Sequence, residues 1–286
     1  MNRQFWVVQI FNGVSYGALL FLVGSGLSLI FGVMRIVNLS HGAYFLWGGY
    51  IALSVINATG SWALSLPVAA FAVAVIGLTM ERVFLRPLGF DPLRQVLLTV
   101  GFAFLFQQAA LDIWGGNNMD INPPAALTQS IVVGGIYFPL YRAFMIAMAL
   151  LIGIALWLAL EKTRIGAAVR ATVDDAQMAR GIGIDTNRIS MFIFALGAFL
   201  AALGGVIGGA FLGIYPGLDF EILPLAFAVV IIGGMGSLGG AAIGALLVGL
   251  ADNFGKALFP EVSYFTLYAP MVLILAIKPT GLFGRE

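Results

Sequence analysis

The sequence predicts an all-α integral membrane protein of about eight hydrophobic segments, and three observations predict it. Only 9% of its residues are charged against 61% hydrophobic, where a soluble domain carries about 25% charged residues to keep its surface wetted. Eight apolar runs, at 6–33, 36–57, 62–80, 95–113, 142–160, 189–213, 222–251 and 263–278, approach or exceed the roughly 20 residues that a helix needs to cross the hydrocarbon core. Lys and Arg gather in alternate loops, the pattern that marks cytoplasmic loops in membrane proteins.

The first run, 6–33, follows a single Arg and leads to no small-residue cleavage site, so it reads as a retained span and not a signal peptide. Arg82, Arg86 and Arg94 lie in the loop at 81–94. Lys162, Arg164, Arg170, Arg180 and Arg188 lie in 161–188, and Lys278 and Arg285 near the C-terminus. The intervening stretches are poor in basic residues: 114–141 holds Asp120, and 214–221 holds Asp219 and Glu221, with Arg142 as the single exception at an edge. The basic loops and the C-terminus are therefore expected on the cytoplasmic side. Counting back puts the N-terminus outside, which Arg35 supports and Arg3 opposes.

An odd number of crossings must then separate 214–221 from the C-terminus, yet only two apolar runs remain. The 222–251 run resolves this, because 233–240 interrupts it with five glycines and a serine, and glycine weakens a helix interior. Two half-length helices that enter and return, or a broken helix with a displaced partner, both fit. Irregular backbone at membrane depth is tolerated only where protein buries it or where it lines a cavity. Gly236, Ser237 and Gly239 are thus candidates for a translocation path, with close helix packing through small residues as the alternative. Asn38, Ser40, His41 and Gly42 form a second polar interruption. Either they line a bend in the path, or Asn38 or Ser40 caps the helix carrying Tyr44 and Trp47 while His41 bonds across helices. A weak likeness between 39–49 and 236–244 hints at an inverted repeat with the path at its interface.

The external stretch 114–141 predicts a short hairpin over 131–137 with a Gly-Gly turn, lying flat on the outer face. The cytoplasmic stretch 161–188 predicts an amphipathic helix over 167–182. Ala168, Ala171, Thr172, Ala176, Ala179 and Ile182 recur near the helical period, Gly183 is a C-terminal stop, and Asp185 and Asn187 stand where caps of the next helix belong. Its small apolar side chains suit a groove in a partner protein better than lipid headgroups, which favour Trp, Phe and Leu.

Several classes of function are excluded. No basic patch serves a nucleic acid. The absence of cysteine removes disulfides and thiolate chemistry, and one His without clustered carboxylates offers no catalytic or metal constellation, so neither enzyme activity nor a cofactor is expected. The only Gly-Lys pair, Gly255-Lys256, lacks the glycine before and the Ser or Thr after that a phosphate-binding loop requires. Glu81, Asp112, Asp219, Glu221, Asp252 and Glu261 all fall near segment ends, which argues against proton coupling without excluding Na+ held by backbone carbonyls.

Three motifs in order resemble the permease subunits of branched-chain amino acid ABC importers: 26–44 (GLSLIFGVMRIVNLSHGAY), 164–184 (RIGAAVRATVDDAQMARGIGI) and 233–244 (GGMGSLGGAAIG). The likeness covers nearly the whole chain, so 1–286 reads as a single transmembrane permease domain. It implies a bacterial inner-membrane protein working with a second permease subunit, usually a paralogue, two cytoplasmic ABC ATPases and a periplasmic substrate-binding protein. It also implies that Arg164, Gly166, Ala167, Ala168, Ala171, Asp174, Asp175, Ala176, Ala179 and Gly183 belong to the loop that couples to the ATPases. Branched-chain or related hydrophobic amino acids are the substrates it implies first. Subfamilies for urea, short amides and sugars share much of the pattern.

Overall fold

The computed structural model describes residues 3–89 and 91–284; Arg285, counted above toward the C-terminal charge, lies outside them. α1 (Arg3–Met34) crosses the whole molecule as one 32-residue helix. The chain then turns back as an irregular segment, 35–40, and α2 (His41–Thr59) begins only where the His41 ring meets the Val23 carbonyl at 3.0 Å. That point lies about 16 Å from the end of α1 at 1.5 Å per residue, and His41 is fully enclosed there. α3 (Trp62–Met80) runs the other way and continues through a π-turn and a 3-10 turn to Leu88, and α4 (Pro92–Trp114) returns.

The expected hairpin follows: β1 (Ser130–Val133) pairs antiparallel with β2 (Ile136–Pro139). Gly134 and Gly135 join them with φ of +60° and +78°, the left-handed pair that a two-residue hairpin turn needs. Phe138 meets Phe11 edge-on, which places the Arg3 end of α1 on the hairpin side. α5 (Leu140–Lys162) then crosses to the opposite end, where the 161–188 loop forms α6 (Arg164–Asp174) and α7 (Ala176–Gly181). α8 (Thr186–Leu212) climbs back to the hairpin end, where Ile214 bridges Met119. α9 (Leu218–Gly233), α10 (Leu238–Leu258) and α11 (Ser263–Ile277) complete the order, and 279–284 folds onto the end of α9 through Leu282 N–H to Ile232 O and Phe283 N–H to Gly233 O.

Among the described residues, six helical stretches are long and apolar enough to cross a membrane, the α3 stretch taken through to Leu88. α2, α9 and α11 add three shorter or more polar helices, so the eight apolar runs become nine helices. The 222–251 run holds the end of α9 and most of α10, parted at 234–237. α10, at 21 residues, is a full crossing and not a half-length helix. Three successive elements, α9, α10 and α11, therefore supply the odd count. This break also lies at the 161–188 end and not at mid-membrane, since Gly236 packs against Gly32 near the end of α1.

The counterpart of the 35–40 return is a segment that hydropathy did not mark. After α8 the chain re-enters as 213–217, passes Gly49 with Ile214, and starts α9 beside Gly42. α2 and α9 thus begin inside the protein, N-terminus toward N-terminus, and run to opposite ends. This pairing, and not the likeness between 39–49 and 236–244, is the inverted relation the structure displays. Around it, α1 and α8 are the most enclosed spans, with 83% and 72% of their most apolar windows buried, against 22% for α4 and 17% for α5. The outward faces of α4 and α5 are left for lipid or another subunit.

Candidate functional site

The interruption at 38–42 sits behind α1, with Asn38, Ser40, His41 and Gly42 buried. Asn38 Oδ1 accepts from the Ser40 N–H at 3.1 Å and from the Ser40 hydroxyl at 2.7 Å. Ser40 occupies the N-cap position of α2 but makes no side-chain cap bond; its hydroxyl is turned to Asn38. Leu39 N–H reaches Thr99 Oγ1 of α4 at 3.2 Å, so the return segment is pinned laterally. The Val23 contact makes His41 an interhelical hydrogen bonder, as expected for a helix-joining role. Gly42 has no room for a side chain, because the Asp219 carbonyl lies against it.

Asp219 is the residue that sequence reasoning missed. Assigned to an external loop, it is instead 2% exposed in the first turn of α9, where a carboxylate offsets the positive end of the helix dipole. Among the described residues, buried side-chain atoms without a partner are Asn38 Nδ2, His41 Nδ1, Tyr50 OH, Trp62 Nε1 and Asp219 Oδ1. Four of these five lie on 35–40, α2 or the start of α9. An orphaned buried polar atom costs about 1–3 kcal/mol unless a water or bound group meets it, so the place where α2 and α9 start is where unmet hydrogen-bonding capacity concentrates. The signal available in sequence was an aspartate directly after Tyr-Pro-Gly-Leu, a turn that could have been read as re-entry.

The second candidate set lies on the opposite side of α1. A cavity of about 1390 Å³ runs along α1 between α5, α10 and the C-terminal segment. Gly236, Ser237 and Gly239 line it, and Asn38, Ser40, His41 and Gly42 do not. Val14, Gly17, Ala18 and Phe21 face it from α1, while Val23, the His41 contact, is on the far face of that helix by the 3.6-residue period. Its walls are apolar except at the 161–188 end, where Arg35, Glu161, Arg170, Asp174, Ser237 and Thr280 stand. Ser237 caps α10, its hydroxyl accepting from Gly240 N–H at 3.0 Å. A side chain on Gly239 would meet open space, so close packing does not explain this glycine. Gly236 differs, with φ of +81° and the Gly32 Cα in its way.

The single helix expected over 167–182 is two helices with a corner at Asp175. The extended Asp175 ends α6 and caps α7, its Oδ1 accepting from Gln177 N–H at 2.8 Å and Met178 N–H at 2.9 Å. A side chain that serves an N-terminus competes with a continuous helix, which is why a 3.6-residue stripe overran the break. Arg164 opens α6 in solvent, with Ala167 exposed beside it; Ala168, Ala171 and Ala176 are half-buried. Gly166 is pressed against the carbonyls that end α5. Thr172 and Ala179, at 3% and 2% exposure, face inward, and the apolar side chains that project are Ile165, Met178 and Ile182 at 55%, 66% and 71%. Gly183, with φ of +90°, ends the element as anticipated, and Asp185 caps α8 through Arg188 N–H at 3.1 Å.

Residues 9–275 match the family described as branched-chain amino acid transport system / permease component. The chain belongs to this family. It is 30% identical to the high-affinity branched-chain amino acid transport system permease protein BraD of Pseudomonas aeruginosa, over 98% of this chain and 96% of the relative. To the corresponding LivH protein of Escherichia coli K12 it is also 30% identical, over 100% and 98%. The autoinducer 2 import system permease protein LsrC of Escherichia coli is 29% identical over 88% of this chain and 73% of that one. No solved structure matches. The family and the apolar helices together make this a multi-pass membrane protein, similar to permease subunits and not to ATP-binding ones.

Proposed function

We propose that this chain is the membrane-spanning permease subunit of an ATP-driven importer for branched-chain or related hydrophobic amino acids. The observation that carries the reading is the cavity along α1: a long, largely apolar passage that ends in charge directly beside the 161–188 loop. An apolar wall suits a hydrocarbon side chain, and a face completed by a second permease subunit, a paralogue of this one, suits the little-buried α5 beside it. The 161–188 end is cytoplasmic in the bacterial inner membrane, since the five basic residues of that loop and Arg82, Arg86 and Arg94 all gather there. Lys278 supports the same side for the C-terminus, and in this reading the hairpin end faces a periplasmic substrate-binding protein. Two cytoplasmic ATPases act through α6 and α7, with Ile165, Met178 and Ile182 as the side chains free to enter a groove. Binding there changes transport only by favouring one of two permease conformations over the other.

Asp219 favours a second reading. A carboxylate buried within a membrane span is a functional residue by default, and half-helix ends hold ions in secondary transporters, so an ion-coupled transporter is the competing class. Co-purification in detergent with the ABC ATPases of the same organism separates the two. Wild type is expected to retain an ATPase, and Met178→Asp with Ile182→Asp to lose it while remaining folded, both side chains being exposed. Ala179→Glu is unsuitable for this purpose, because it would bury a charge against the protein's own helices. Wild type that binds no ATPase refutes the importer reading. Among ATPase-bound forms, stimulation of hydrolysis by leucine, urea or a sugar then separates the substrate classes.

A further inference from the structure

Arg35 stands where three features meet. It is the only non-glycine residue with positive φ among the described residues, at +55°, a region that costs an L side chain energy and persists where the surroundings impose it. Its N–H closes the last turn of α1 onto Phe31 O at 2.8 Å, and the 35–40 return toward Asn38, Ser40 and His41 starts from it. Arg35 also lines the charged mouth of the cavity, together with Glu161, Arg170 and Asp174.

The neighbouring loop is mechanically tied to the same turn. Val169 of α6 is buried in one apolar cluster with Leu29 and Val33 of α1, and Met34 and Val173 pack against that cluster. Any displacement of α6 therefore bears on the last turns of α1. Electrostatics link the same places: the Asp175 carboxyl, at the α6–α7 corner, is held below its usual range first by the Met178 and Gln177 N–H groups and in smaller part by Arg35. One residue thus touches the loop through charge and the buried return through the backbone.

We propose that Arg35 is the positioning residue through which movement of the 161–188 loop reaches the buried segment 35–40. The proposal rests on the importer reading, because it needs an ATPase to move the loop. Its charge follows Asp174 and Asp175 when the loop shifts, and its left-handed backbone, held against its own preference, converts that shift into rotation of the return segment. The charge and the backbone make separable contributions. Arg35→Lys keeps both; Arg35→Gly and Arg35→Asn keep the left-handed turn at lower cost and discard the charge.

The sequence contains no cysteine, so Val37→Cys places a single thiol on the return segment at a partly exposed position. The ATPase-bound complex is labelled with a water-soluble maleimide, with and without ATP and vanadate. In the Arg35 and Arg35→Lys backgrounds the labelling rate is expected to change at least threefold with nucleotide. In Arg35→Gly and Arg35→Asn the change is expected to vanish while the ATPase still co-purifies and hydrolyses ATP. A nucleotide-dependent change that survives in the Gly and Asn variants overturns the proposal, as does a bound, active ATPase that leaves Val37→Cys unaffected in the Arg35 background. If no ATPase binds even with Arg35 present, the importer reading fails and this proposal falls with it.

Discussion

The crossing of α1 and α8 offers the cleanest test of the fold, because it is made of backbone. A Cβ added to Gly26 would sit 2.6 Å from the Gly197 carbonyl oxygen and 3.1 Å from the Gly197 Cα. The oxygen contact is about 0.8 Å short of an ordinary carbon–oxygen approach. Neither obstacle is a flexible side chain, so Gly26→Ala must push the two most enclosed helices apart. Overpacking of this kind costs about 1–3 kcal/mol, and an immobile obstacle puts the cost near the upper end. Replacing glycine by alanine inside a helix returns about 1 kcal/mol, which leaves a net loss of about 2 kcal/mol. Gly101→Ala is the matched control: it too lies inside a helix, α4, but a Cβ there meets nothing within 4 Å, so only the gain applies. At roughly 2–4 °C per kcal/mol, thermal unfolding in detergent should show Gly26→Ala melting about 6 °C below wild type and Gly101→Ala at or above it. If Gly26→Ala melts with Gly101→Ala, α1 and α8 do not cross at this point and the central packing is not as the backbone contact implies.

Three further outcomes follow from single contacts. Tyr141→Phe removes a buried hydroxyl that donates to Ile207 O at 2.7 Å, and should cost about 1–2 kcal/mol in the same unfolding assay because it leaves that carbonyl short of a partner. Asp175 has a depressed folded-state pKa. Its contribution to the α6–α7 corner is therefore complete above the ordinary aspartate range and is lost as pH falls through the lowered value. Exchange of the Gln177 and Met178 amides, corrected for intrinsic rates, should accelerate only in acid, and Asp175→Ala should show the acid rate at neutral pH. Gly239→Ala should leave thermal stability within about 0.5 kcal/mol of wild type, since its Cβ enters open space; a reduced transport rate in that stable variant would mark the position as part of the passage.

What could be read from the sequence was composition and punctuation; what could not was depth. Both chain breaks, the hairpin and its Gly-Gly turn, the Gly183 stop and the Asp185 cap were legible because glycine and small polar residues act locally. The run at 36–57 looked like one span because Ile36, Val37 and Leu39 are as apolar in an irregular return as they would be in a helix. For the same reason Asp219 was assigned to water: a charged residue after a turn looks external unless the turn is known to point inward. The two candidate path segments were both polar and both Gly-flanked, yet α1 separates them, and no one-dimensional pattern reports which face of a helix a distant segment will meet. The inward side of α6 and α7 was misjudged because alanine serves equally well against the protein's own helices and against a partner.

The facing starts of α2 and α9 bear on how the chain is made. When α2 leaves the ribosome its beginning carries Asn38, Ser40 and His41 with only α1 beside them, through the Val23 carbonyl, and the residues that enclose them from α9 are about 180 positions away. At ~5–20 residues per second, the nascent permease spends on the order of ten seconds or more with an unfinished polar end at membrane depth. The spans are therefore not independent of one another: the start of α2 rests on α1 alone until synthesis reaches Asp219.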